Sequence, residues 1–176
     1  MTLLLLACSG PLDSGDTDEA ALPFAQDIAV DEVLLNQAVD IALARGGQPL
    51  PSDQHSAPVI AGRGALVRAT TTLGEDFEPR RIVGRLVLDG GEVVLTDERL
   101  VEGPGDATLW DGTFQWVVEP EDLHASTSLH IELLEVDDSQ VHEAEGARYP
   151  SSGEEELEAW PDMDLHLVLV PIRCQG

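Results

Sequence analysis

Hydrophobic and polar residues alternate over several short stretches of this chain, and a period of two marks a half-buried strand. Ile82, Gly84, Leu86 and Leu88 fall on one face, while Arg81 and Arg85 fall on the other. Phe114, Trp116 and Val118 alternate with Gln115, Val117 and Glu119; Leu129, Ile131 and Leu133 alternate with His130, Glu132 and Leu134. Ala65 to Leu73 is rich in Val and Thr, and Leu165 to Ile172 is an apolar run between acidic residues and a polar tail. Asp89-Gly90-Gly91 separates two such stretches and is a hairpin signal, because tight turns need the positive φ that Gly accepts. Gly46-Gly47 and Asp111-Gly112 mark further turns. Short strands at this spacing predict an all-β chain, a single immunoglobulin/fibronectin-like β-sandwich of about seven or more strands. Phe114, Trp116, Leu129, Ile131 and Leu133 are its expected core.

One stretch fits two templates. Val30, Val33, Leu34, Ala38, Ile41 and Ala42 follow helical spacing, with Gly46 placed as a C-cap. The same stretch read as extended puts Val39, Ile41 and Leu43 on one face. The sheet needs a first strand, so the extended reading is taken.

The chain has 176 residues, a length that fits one domain and needs no metal or disulfide staple. Its formal net charge is −25, from 9 basic residues, all Arg, and 34 acidic ones. That balance excludes a phosphate-backbone binder, and seven aromatic residues make a poor base-stacking surface. No nucleic-acid partner is expected.

Two cysteines occur, Cys8 and Cys174. Cys8 closes Leu5-Leu6-Ala7-Cys8, which resembles a bacterial lipobox, where a small residue precedes the cysteine that is lipidated. Residues 2–7 lack a basic residue and the apolar stretch is short, so residues 1–8 read as a partial lipoprotein signal with Cys8 as the lipidation site. Residues 9–26 carry Asp13, Asp16, Asp18 and Glu19 among Ser, Gly and Pro and read as a disordered acidic tether. Their carboxylates do not follow the spacing of a calcium loop. Residues 27–176 form the β-sandwich domain. Within it, residues 137–164 hold ten acidic residues against Arg148 and read as a solvated connection before the last strand.

Candidate chemistry is sparse. His142-Glu143 begins like a zinc-protease helix, but Gly146 stands where the second His must lie. His130, Glu132 and His166 invite a two-His, one-carboxylate metal site, against the commoner reading of surface histidines on strands. A lysine-dependent phosphate loop is impossible without Lys, and no Gly-x-Ser-x-Gly elbow is present. Cys174 near the chain end is a poor place for a nucleophile that must exclude water. No catalytic residue, metal ligand or cofactor is assigned.

Val33 to Leu43, Ala57 to Arg68, Ala147 to Gly153 and Leu167 to Arg173 together resemble the N-terminal β-sandwich region of secreted or lipid-anchored bacterial proteins related to mucin-degrading zinc metalloproteases. The resemblance covers most of residues 27–173 and implies a structural region that precedes a peptidase domain. No catalytic residue carries over with it. The expected function is a non-catalytic lipoprotein of the Gram-negative cell envelope, in the outer membrane or on the cell surface. It contacts the membrane through Cys8 and a protein or glycan ligand through its domain, in surface recognition or in support of an extracellular enzyme. The alternatives are a truncated accessory module of a secreted zinc metallopeptidase, and a periplasmic cation-binding protein.

Overall fold

Between Val30 and Val33 the first strand carries a β-bulge, and the bulge is why its sequence imitates a helix. In the computed structural model, which describes residues 22–136 and 146–161, β1 (Ile28–Asn36) lies antiparallel between two neighbours. These are β2 (Asp40–Arg45) and, further along the chain after β3 (Gln48–Pro49) and β4 (Val59–Ile60), β5 (Ala65–Leu73). Val30 faces Thr71 and Val33 faces Ala69, so Asp31 and Glu32 share the place opposite Thr70. The Thr70 hydroxyl accepts the Glu32 N–H at 3.0 Å. The extra residue changes the parity of the strand: Ile28 and Val30 point into the core before it, Val33 and Leu35 after it. The extended reading of this stretch holds, but as a hairpin of two strands. Val39 does not share the face of buried Ile41 and Leu43; it rides exposed on the turn beside Ala38, whose φ is 84°.

The remaining strands among the described residues are β6 (Arg80–Leu88), β7 (Val93–Val101), β8 (Phe114–Val118), β9 (Ser128–Glu135), β10 (Arg148–Tyr149), β11 (Glu155–Glu156) and β12 (Ala159–Trp160). They form two antiparallel sheets packed as a sandwich. One has the order β3-β2-β1-β5-β8; the other runs β10-β9-β6-β7, with β11 also on β9. A short parallel pair, β4 with β12, stands apart. The expected all-β class is the one observed. The Asp89-Gly90-Gly91 turn joins β6 to β7 in register, Leu88 opposite Val93 and Arg80 opposite Val101.

Both sheets contribute to one core. Ile82, Leu86, Leu129, Ile131 and Leu133 are fully buried from one side, Phe114 and Trp116 from the other. Gly84 sits in mid-strand because the aromatic rings lie against its backbone: a Cβ there would stand 2.5 Å from the Phe114 ring. Trp116 Nε1–H donates to the Gly84 carbonyl at 3.2 Å, which satisfies the one polar atom of a side chain only 2% exposed. Where the edges of the two sheets meet, side chains replace a ladder. Asp97 of β7 accepts the Gln115 N–H at 3.0 Å, and Arg99 donates to the Thr113 carbonyl at the start of β8. Inward charges of this kind also deter edge-to-edge pairing.

Two boundaries differ from expectation. Residues 23–26, assigned to the tether, belong to the folded unit: Ala25 is buried, its N–H donates to the Leu133 carbonyl at 2.8 Å, and Phe24 bridges to Leu134. Arg80 locks this junction, pairing with the nearly buried Glu135 carboxylate at 2.8 Å and donating to the Gln26 carbonyl at 2.6 Å. The acidic stretch is likewise not a plain solvated connection over its described part, 146–161. β10 and β11 extend the second sheet, and Ala147, Tyr149, Leu157 and Ala159 are buried between the acidic side chains. Residues 137–145 and 162–164 lie outside the described residues, as do the signal at 1–8, tether residues 9–21 and the apolar run Leu165 to Ile172.

Candidate functional site

The most exposed tryptophan of the described chain, Trp110, sits on the loop between β7 and β8, and the backbone of that loop is fastened by hydrogen bonds to itself and to β5. Gly105 brings the loop against β5: its N–H donates to the Thr71 carbonyl at 2.7 Å, and a Cβ would come within 2.6 Å of the Thr71 nitrogen. Asp106 then folds the chain over itself. Its carboxylate accepts the Thr108 N–H at 2.8 Å and the Thr108 hydroxyl at 2.6 Å, and these bonds hold its pKa below the usual carboxylate range. Backbone bonds from Leu109 to Asp106 and from Gly112 to Leu109 close the turn.

Arg68, on the outer face of β5, ties this loop to the sheet. Its Nη2 donates to the Ala107 carbonyl at 2.7 Å and its Nε to the Thr113 hydroxyl at 3.3 Å. The guanidinium lies 6.0 Å from the centre of the Trp110 ring, and the Gln115 amide donates to the Trp110 carbonyl. The indole is 68% exposed despite these restraints, with Leu109 also exposed beside it. Beside the loop lies a cleft of about 240 Å³, lined by Arg99, Leu100, Glu102, Asp111 and Phe114 among others. A large flat apolar side chain on a loop whose backbone is already restrained leaves less to order on contact, which is how aromatic anchors of recognition surfaces work. Carboxylates and a guanidinium at the neighbouring cleft supply directional hydrogen bonding.

A second polar cluster lies on the outer face of the other sheet. His130 and Glu132 share that face, as their spacing predicts. The His130 side chain is only 14% exposed, however, held between Glu132 at 3.5 Å and Glu154 at 3.4 Å. It is a packed side chain, not a free surface histidine. The Ser128 hydroxyl, and after it His130, hold Glu154 below the usual carboxylate pKa. Arg85 reaches Glu132 at 3.4 Å from β6. His166 lies outside the described residues, so the proposed pair of histidines is not brought together among them. Among the described residues no grouping of three or more His, Cys, Asp and Glu has metal-binding geometry.

Cys8, Cys174 and His142 also lie outside the described residues. No helix among the described residues is long and apolar enough to cross a membrane. Trp110 is the residue that the periodic reading passed over. Its signal was present: an aromatic directly before Asp111-Gly112 stands in a turn and has no strand face to bury it. No protein-family model and no curated protein matches the chain.

Proposed function

We propose that this chain is a non-catalytic, lipid-anchored β-sandwich of the bacterial cell envelope that recognises a protein or glycan ligand through the Trp110 loop. The observation that supports this reading is a tryptophan kept in water by a loop whose own hydrogen bonds and Arg68 fix its place. The anchor is Cys8, and the acidic tether after it holds the domain away from the membrane. Several acyl chains, as on a bacterial lipoprotein, give stable attachment where a single chain does not.

The test has two arms. Expressed with a complete signal and labelled with fatty acid, the protein partitions into membranes, and Cys8→Ala loses both label and partitioning. Soluble domain titrated with a mucin-type glycoprotein, before and after enzymatic deglycosylation, shows a change in tryptophan fluorescence that Trp110→Ala abolishes. Loss of the response on deglycosylation assigns a glycan; its persistence assigns the polypeptide. An unaltered affinity in Trp110→Ala would refute the site. The resemblance to metalloprotease N-terminal regions supports a second reading, an accessory module of a zinc metallopeptidase. Translating the DNA beyond the Gly176 codon and finding a His-Glu-x-x-His helix would select it.

A further inference from the structure

His130 is enclosed by carboxylates on both sides, and only one of its protonation states suits both of them. Its Nε2 faces Glu132 at 3.5 Å and its Nδ1 faces Glu154 at 3.4 Å. The Nδ1 atom is buried and makes no hydrogen bond. A neutral imidazole carries a single N–H, so in either tautomer its other nitrogen turns a lone pair toward a carboxylate. The imidazolium turns an N–H toward each.

The two carboxylates are not equally provided for. Arg85 of β6 reaches Glu132 at 3.4 Å, and Arg148 of β10 stands opposite Glu132 in register. Glu154 accepts the Ser128 hydroxyl and the Gly90 N–H, but among the described residues the cation it faces is His130 alone. Glu154 closes the short loop, residues 150–154, that joins β10 to β11. Arg148 ties this loop to itself, donating to the Pro150 carbonyl at 2.6 Å and the Gly153 carbonyl at 2.7 Å. β11 then pairs with β9 over two residues, Glu155 opposite Leu129 and Glu156 opposite Ser128.

We propose that His130 is a proton-operated clasp: its imidazolium form fastens the 150–154 loop and β11 to β9, and loss of the proton loosens them. Deprotonation leaves Arg85 holding Glu132 and withdraws the one cation facing Glu154, so the release falls on the loop side. Two further titratable groups border the cluster. Asp89, at the β6–β7 turn, accepts the Ser128 N–H at 2.9 Å, and His55 acts on Glu155. The device is independent of recognition at the Trp110 loop.

The test is hydrogen exchange of the full chain, followed by NMR at about pH 5.5 and about pH 8, on either side of the ordinary histidine range. Dividing out the intrinsic base-catalysed rate leaves the local opening equilibrium. Protection of the β11 amides and of Leu157, whose N–H donates to the Thr127 carbonyl at 2.8 Å, should fall about tenfold from the lower to the higher pH. The β6 amides from Arg81 to Val87 should keep theirs, which also shows that each variant is folded. His130→Gln should give weak protection at both pH values, whereas His55→Gln should retain the tenfold step. Glu154→Gln, which leaves the histidine in place, should abolish the step as well. A flat response in the unaltered chain would overturn the proposal, as would a full step in His130→Gln. If His130→Gln also loses protection in β6, Glu154→Gln decides, and a step that persists there refutes the clasp.

Discussion

Trp116 and Trp110 stand six positions apart and meet opposite fates. Trp116 is on β8, stacked 6.2 Å from Phe114 and bonded to the Gly84 carbonyl, and almost nothing of it touches water. Trp110 is on the loop before that strand, where the chain closes on its own hydrogen bonds and leaves the ring outside. The same side chain thus stabilises the fold in one place and is free for contact in the other. The difference comes from backbone geometry: a strand turns alternate residues inward, whereas a self-bonded turn has no inner face.

Removing the buried ring should give the largest effect. Trp116→Ala should lower stability by ~3–5 kcal/mol, the usual cost of a large core cavity, measured as a shift in the urea midpoint at constant slope. A near-neutral result would erase the contrast between the two tryptophans. Gly84→Ala attacks the same packing from the opposite sheet. The added methyl must displace the Phe114 and Trp116 rings, and overpacking of this kind costs about 1–3 kcal/mol. Gly84→Ala in a Phe114→Leu background should cost clearly less, because the clash is with that ring.

Trp110→Ala should change stability by no more than ~0.5 kcal/mol, the ordinary range for an exposed position, while abolishing ligand-dependent fluorescence. A fall comparable to that of Trp116→Ala would show that the loop ring carries structural weight. The smallest effect concerns Asp106. Its folded pKa lies below the unfolded value because Thr108 bonds its charged form, so the folded loop is favoured above the unfolded pKa. That contribution is lost as pH falls through the folded pKa. In an acid titration followed by NMR, the Thr108 amide and Trp110 indole signals should move together below pH 4. The Trp116 indole should not move until the whole domain unfolds, and Thr108→Val should raise the pH of the loop transition.

The regular strands were legible because one face of each is simply dry: Ile82-Gly84-Leu86-Leu88 and Leu129-Ile131-Leu133 alternate without interruption. β1 was not, since the bulge at Asp31 and Glu32 moves its inward face from even to odd positions and spoils a period-two count. The acidic stretch misled for another reason. Its buried members, Ala147, Tyr149, Leu157 and Ala159, are scattered through a polar stretch, and the bonds of that stretch to β9, Thr127 and β4 are long-range. For the site, composition offered little. An exposed ring acquires meaning only from the loop that restrains it, and the partners that do so, Arg68 and Thr71, come from a strand far back in the sequence.

The junction at residues 23–28 has a mechanical consequence. Ala25 is bonded to β9 of one sheet, and three residues later Ile28 enters the middle of the other, opposite Leu73 of β5. A pull on the chain ahead of Leu22 therefore loads both sheets in turn. It first meets the Phe24–Ala25 junction that Arg80 and Glu135 brace, and then a strand held on two sides by β2 and β5. Force reaching a central strand must shear several hydrogen bonds together, whereas an edge strand unzips one at a time. A domain joined to its surroundings at this end resists extension where the load enters, and the Trp110 loop, tied to Thr71 and Arg68 of β5, hangs on the strand that takes up that load.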